Sequence, residues 1–125
     1  MNKRTTMELV KDIRTLLLTK CSEVYFREGK ENKSYPRIIF DVRPYQERRM
    51  VLELDLWSIR KNGDNQGDKE LCDLADDIED MLDEHILSRT NYIASFYTNN
   101  DAKPVTDENK DIKHMNMSFD IIYQS

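Results

Sequence analysis

The stretch from Met50 to Leu82 limits the fold more than any other part of the chain. In the run Met-Val-Leu-Glu-Leu-Asp-Leu-Trp-Ser-Ile, Leu52, Leu54 and Leu56 fall on one strand face and Glu53, Asp55 and Trp57 on the other. That period of two is the mark of a half-buried strand. After the breaker run Lys61 to Gly67 the period changes, and Leu71, Leu74, Ala75, Ile78 and Leu82 fall on one side of a helix. A strand with one apolar face and a helix with one apolar stripe each need a partner to bury against, which points to helix packed on sheet. Nothing in this unit is a catalytic motif, so function has to be read from surfaces and loops.

The flanking segments extend the same pattern. Thr5-Thr6-Met7-Glu8 fits a capping box. It predicts a helix through about Lys20 with Met7, Val10, Ile13, Leu16 and Leu17 as its apolar stripe, covering one sheet face. Lys3, Arg4, Lys11 and Arg14 leave the beginning and outer face of that helix basic. Glu23 to Arg27 reads as a short aromatic strand and Glu28 to Ser34 as an exposed connection. Pro36 sets the start of a strand, Arg37 to Arg43, with Ile38, Phe40 and Val42 on one side and Ile39 and Asp41 on the other. Pro44 to Arg48 then reads as a turn, and the antiparallel return gathers Arg43, Arg48 and Arg49 near the hairpin tip.

The second helix is expected over about Asp68 to Leu87. Tyr92 to Tyr97 follows as a strand with Tyr92, Ala94 and Phe96 on one face, and Thr98 to Asp111 as a long polar loop. Lys113 to Tyr123 alternates Met115, Met117, Phe119, Ile121 and Tyr123 against His114, Asn116, Ser118, Asp120 and Ile122, and ends the sheet as a long strand. At 125 residues there is room for one domain, residues 1–125. The expectation is α+β: an N-terminal helix, three strands, an acidic helix and two C-terminal strands, with a mostly antiparallel sheet packed against two helices.

Composition narrows the function. A net charge of −5 opposes general affinity for nucleic acid, which is mostly cation contact with phosphates. Cys21 and Cys72 are the only cysteines, without CxxC spacing, and read as reduced and structural. No apolar run approaches the roughly 20 residues that span a bilayer. Met-Asn-Lys-Arg leads into an amphipathic helix instead of a signal-peptide core, so the chain reads as cytosolic where it is made.

Site motifs are few. Asn62 to Asp68, with Asp73, places oxygen donors around a glycine as in a calcium loop. Lys69 stands where an apolar residue is usual, Asp73 where a Glu is usual, and a strand precedes it, so a plain turn fits better. His85 and His114 lie on different elements without a positioned partner for general base chemistry. No catalytic, cofactor-binding or metal residue is assigned, and no enzyme activity is expected.

Asp73, Asp76, Asp77, Asp80 and Asp83, with Glu79 and Glu84 nearby, make one face of the second helix densely negative. This is a solvated outer face, a partner surface, a cation-screened subunit contact or a lumen wall that repels nucleic acid. Trp57 is expected to pack under the second helix or to anchor an interface. Arg43, Arg48 and Arg49 form a solvated tip, or the counterpart of the acidic helix, Asp76 and Asp80 above all, in a neighbouring copy. The latter contact is heterologous and can close into a ring. The interface or lumen candidates are therefore Arg43, Arg48, Arg49, Asp73, Asp76, Asp77, Asp80 and Trp57.

The N-terminal helix, Tyr35-Pro36-Arg37-Ile38-Ile39-Phe40, the strand ending Leu-Asp-Leu-Trp-Ser, the turn Gly63 to Gly67 and the helix from Glu70 to Ile78 together resemble a known layout. It is that of the small tail terminator, or tail completion, proteins of long-tailed phages and phage-derived particles. The resemblance implies a structural virion assembly protein at the head–tail joint, made in the bacterial host cytoplasm. Its subunits would form a hexameric ring on the end of the tail tube, stop tube polymerisation and present a surface to head-completion or neck proteins. The partners so implied are other copies of the chain, the tail tube protein, a head-completion protein and DNA passing without specific binding, with no membrane. The connections Glu28 to Ser34 and Thr98 to Asp111 are the expected tube or connector contacts. A head–tail connector protein is the nearest alternative; a small cytosolic cation-binding protein or enzyme, using Asn62 to Asp73 or His114, is the other.

Overall fold

Alternation along one strand decides the layers. The computed structural model describes residues 3–28, 34–59, 66–105 and 111–124. The elements are α1 (Lys3–Leu18), β1 (Val24–Phe26), β2 (Arg37–Gln46), β3 (Arg49–Ile59), α2 (Gln66–Leu82), β4 (Ile86–Ser88), β5 (Ile93–Val105) and β6 (Ile112–Gln124). In β3, Met50, Leu52, Leu54, Leu56 and Ser58 are buried while the residues between them are half-buried. The buried set packs with Leu9, Ile13 and Leu17 of α1 and with Leu71, Leu74, Ile78 and Leu82 of α2 in one core. Both helices therefore cover the same sheet face. Each large apolar side chain taken out of water there contributes about 1.5–3 kcal/mol.

The fold is α+β. Its six-stranded sheet has the order β1-β2-β3-β6-β5-β4, antiparallel at every junction except the parallel β1–β2 pair. Inward rows run straight across the middle: Phe40 opposite Leu54 opposite Met117, and Val42 opposite Leu52 opposite Phe119. The register keeps the apolar phase of each strand on the helix side. β6 lies between β3 and β5, so the last strand sits at the centre of the sheet and not at its end.

Several boundaries differ from expectation. α1 begins at Lys3, which places Thr5 inside the first turn and not at the cap. The β2–β3 turn shrinks to Glu47 and Arg48, because β2 runs to Gln46 with a register shift after Pro44, and Arg48 turns the chain with φ of 64°. α2 stops at Leu82, not Leu87. There Glu84 takes a left-handed conformation, φ 62°, the usual way a helix is closed off. Its amide donates to the Phe96 carbonyl at 2.7 Å and the Phe96 amide to the His85 carbonyl at 2.9 Å, which draws residues 86–88 into strand β4.

The expected loop after Thr98 is mostly strand. β5 continues to Val105, with register shifts between Thr98 and Asn100 and between Asn100 and Lys103. Such bulges absorb extra residues without ending the ladder, and here Asn99 and Asn100 bond across to Asp120 and Ser118, each at 3.2 Å. Residues 106–110 of that segment, 29–33 of the Glu28 to Ser34 connection, and 62–65 of the calcium-like turn lie outside the described residues.

A polar clasp ties α1 to the β4–β5 turn. The Tyr92 phenol donates to the Asp12 carboxylate, Arg89 Nε lies 3.3 Å from Asp12 Oδ2, and Asn91 Nδ2 donates to Glu8 Oε2 at 3.2 Å. Burial of Tyr92, and next its bond to Asp12, hold the phenol well above its ordinary ionisation range.

Candidate functional site

With α1 and α2 on one face, the other face of the sheet has no described helix or strand packed over it. Its rows follow from the register. Trp57, His114 and Val105 share one row, and Asp55, Asn116 and Lys103 the next. Then come Asp41, Glu53, Ser118 and Asn100, followed by Arg43, Val51, Asp120 and Tyr97. Arg49, Ile122, Ser95 and Ile86 lie beyond them, with Ile93 on the last row. The face is banded: aromatic at the end where β3 leads towards α2, polar in the middle, apolar at the far corner.

At the aromatic end the Trp57 and His114 rings stack with centroids 4.3 Å apart and 14° between planes. His114 Nε2 lies 2.9 Å from Asp55 Oδ1, and Asn116 Nδ2 donates to the same oxygen at 3.0 Å. The stack and the shared carboxylate fix the imidazole from two directions. Trp57 is thus on the face away from α2 and does not pack under that helix. The reason is that α2 covers the leucine side of β3, while Trp57 belongs to the opposite phase and finds its apolar cover in a ring from the neighbouring strand.

The middle band is satisfied by its own ion pairs. Arg27 Nε meets Asp41 Oδ1 at 2.9 Å, Arg43 Nε meets Asp41 Oδ2 at 3.5 Å, and the Arg43 guanidinium also pairs with Glu53. These groups line a shallow depression with Ile39 and Asp55. Each such exposed pair is worth about 0–1 kcal/mol. Arg43 is therefore a sheet-face residue opposite Val51, not a hairpin-tip residue, because β2 continues past it. No group of His, Cys, Asp and Glu among the described residues is arranged to hold a metal ion.

At the far corner Ile86 is 60%, Ile93 45%, Ile122 43% and Tyr97 41% exposed. They surround Ser95: Ile86 and Ile122 lie opposite it on the strands to either side, and Ile93 and Tyr97 flank it along β5. Large apolar side chains gathered on an open surface, instead of scattered, mark an interaction site. None of these is among the candidates read from the sequence. The available signal was Ile122, an apolar residue in the polar phase of β6.

The remaining candidates fall in two separate places. Arg48 and Arg49 are exposed at the hairpin tip, beside this corner, since Arg49 is opposite Ile122. Neither makes an ion pair among the described residues. Asp73, Asp76, Asp77 and Asp80 are exposed on the outer side of α2, in the other layer. Asp73 pairs with Lys69 at 3.2 Å, and the other three make no ion pair among the described residues. The cationic tip and the acidic helix face are thus presented outward and not brought together within one chain.

No described helix is long and apolar enough to cross a membrane. No family model matches the chain, and no curated protein matches it.

Proposed function

We propose that the protein is a structural assembly subunit of the tail terminator kind. Its copies form a ring, hexameric by the resemblance, that caps the end of a tail tube, stops its growth and joins it to the head or neck of a virion. The observation that carries this reading is the open sheet face. Among the described residues its central carboxylates are paired with Arg27, Arg43, His114 and Asn116, which leaves an apolar corner and a cationic tip without ion pairs as the parts that want a partner. Capping needs a rigid subunit with a contact surface on a sheet scaffold, and an overall net charge of −5 suits a passage through which DNA moves without adhering. The resemblance in the segments around Tyr35-Pro36 and Leu-Asp-Leu-Trp-Ser supports the same assignment.

The test is reconstitution with polymerising tail tube protein, viewed by electron microscopy. Tubes of regulated length with ring-shaped density at their ends are expected. Tubes of unregulated length with bare ends refute the reading, and attachment to head-side particles without attachment to tubes replaces it with a neck protein.

A further inference from the structure

The sheet offers little edge for another strand to join. Its outermost strands, β1 and β4, span Val24–Phe26 and Ile86–Ser88 only. Beyond β4, the outer edge of β5 carries two register shifts and then Lys103 and Pro104. Its Thr98 amide is already taken by Asp83 Oδ1 at 2.9 Å. Short edges, bulges, lysine and proline all oppose strand addition. Beyond β1, the outer edge of β2 from Asp41 to Gln46 is unpaired among the described strands but carries Pro44 and a register shift, so the faces offer copies the fuller contact.

The apolar corner sets the chemistry of what covers it. Its occupant has to bring apolar surface, and acidic groups to meet Arg48 and Arg49 at its border. The chain itself carries such a surface on its helix layer. Thr19 Oγ1 lies 3.5 Å from Met81 Sδ, so the last turn of α1 touches the last turn of α2. Met81 is half-buried at this seam and packs against the core. Asp77 lies one helical turn before Met81 on α2 and has Asp80 as its own neighbour three residues on, at the end of the helix where the backbone dipole is itself negative.

We infer that, within the assembly proposed above, the subunit contact joins the sheet corner of Ile86, Ile93, Tyr97 and Ile122 in one copy to the seam between α1 and α2 in the next. Arg48 and Arg49 of the first copy meet Asp77 and Asp80 of the second. The two surfaces lie on opposite layers of the molecule, so one copy cannot satisfy both by itself. Each contact leaves one unused surface on either copy, which is the condition for a head-to-tail ring. The apolar corner supplies the desolvated centre and the ion pairs the rim and register.

The experiment is native mass spectrometry with sedimentation velocity on the full chain, with circular dichroism melts to confirm folding. Ile122→Glu disables the corner, and Asp77→Lys with Asp80→Lys disables the seam; all three positions are exposed. The wild type is expected as a closed oligomer. Either variant alone is expected to lose at least about tenfold in self-association, the factor that corresponds to about 1.4 kcal/mol. Mixed together, the two variants are expected to form one-to-one dimers and nothing larger, because only one live contact remains between them. Adding Arg48→Glu and Arg49→Glu to the Asp77→Lys, Asp80→Lys chain is expected to restore the closed oligomer.

A monomeric wild type, or a variant that assembles as the wild type does, overturns the inference. A seam variant that stays dimeric while the corner variant is monomeric assigns the corner to sheet-on-sheet pairing and also overturns it. If the ring forms through this contact yet ignores tube ends, the inference stands and the tail terminator reading falls. If the variants cap tubes as well as the wild type does, the reverse holds.

Discussion

The two faces of the sheet are built from the same strands and obey different rules. On the helix side Leu52, Leu54, Leu56, Met117 and Phe119 are fully buried, and every position in the phase is fixed by the need to fill one core. On the other side the same strands carry Asp41 and Glu53 paired with Arg43, and Asp55 bonded by Asn116, and nothing in the monomer demands that Ile86, Ile93 or Ile122 be apolar. An apolar residue on the covered face reports the fold. On the open face it is free of that constraint.

That contrast can be broken most directly by cutting equivalent residues on the two faces. Phe119→Ala, on the covered face, is expected to cost about 3–5 kcal/mol of unfolding free energy, as large aromatic truncations in cores do. Ile122→Ala, three residues on and facing out, is expected to change the monomer by no more than about 0.5 kcal/mol. Urea melts at concentrations where the protein is monomeric measure both, and similar losses at the two sites would erase the distinction.

A smaller effect is expected at Ser58, the polar residue on the covered face, whose hydroxyl donates to Glu70 Oε1 at 2.6 Å. Ser58→Ala is expected to cost about 1.5 kcal/mol, the lower range for a bond to a charged group, read from the same melts. Tyr92→Phe removes the bond to Asp12 in the clasp and is expected to cost about the same near neutral pH, the acceptor again being a carboxylate.

The same substitution changes the alkaline limb. Because the folded phenol holds its proton above the ordinary value, its contribution is complete below about pH 10. It is lost as pH rises beyond that, since the unfolded chain ionises there first. Stability of the wild type is expected to fall on that limb, and the slope to be shallower in Tyr92→Phe. The smallest change belongs to the open face again. Arg43→Ala removes exposed pairs to Asp41 and Glu53 and is expected to shift stability by about 0.5 kcal/mol or less. A loss as large as that at Ser58 would show that the open face takes part in holding the fold.

Where the hydrophobic period is unbroken, the chain could be read directly: the leucines of β3, the stripe of α2 and the methionine and aromatic phase of β6 all lie where alternation placed them. The end of α2 was not legible, because its stop is Glu84 in a left-handed conformation and glutamate is not a residue that announces one. β5 past Thr98 reads as loop because its bulges break the alternation and its side chains are polar. Alternation puts Trp57 in its correct phase, and of its two expected roles only packing under α2 is excluded. Its partner His114 comes from a strand that meets β3 only through the sheet register. The apolar corner was missed for the same reason, since Ile86, Ile93, Tyr97 and Ile122 come from three strands and become neighbours only once those strands pair.

The central place of β6 has a consequence for timing. A nascent chain emerges at about 5–20 residues per second, and a domain folds as a unit. Here β3 and β5 have no common neighbour until residues 112–124 leave the ribosome and slide between them. Until then the β1–β2–β3 and β5–β4 pairings cannot join into one sheet, and distant pairings of this kind are slow to form. Ile122 arrives on that same final strand, so the corner proposed for subunit contact comes into being in the step that finishes the domain. Half-made chains then lack that surface.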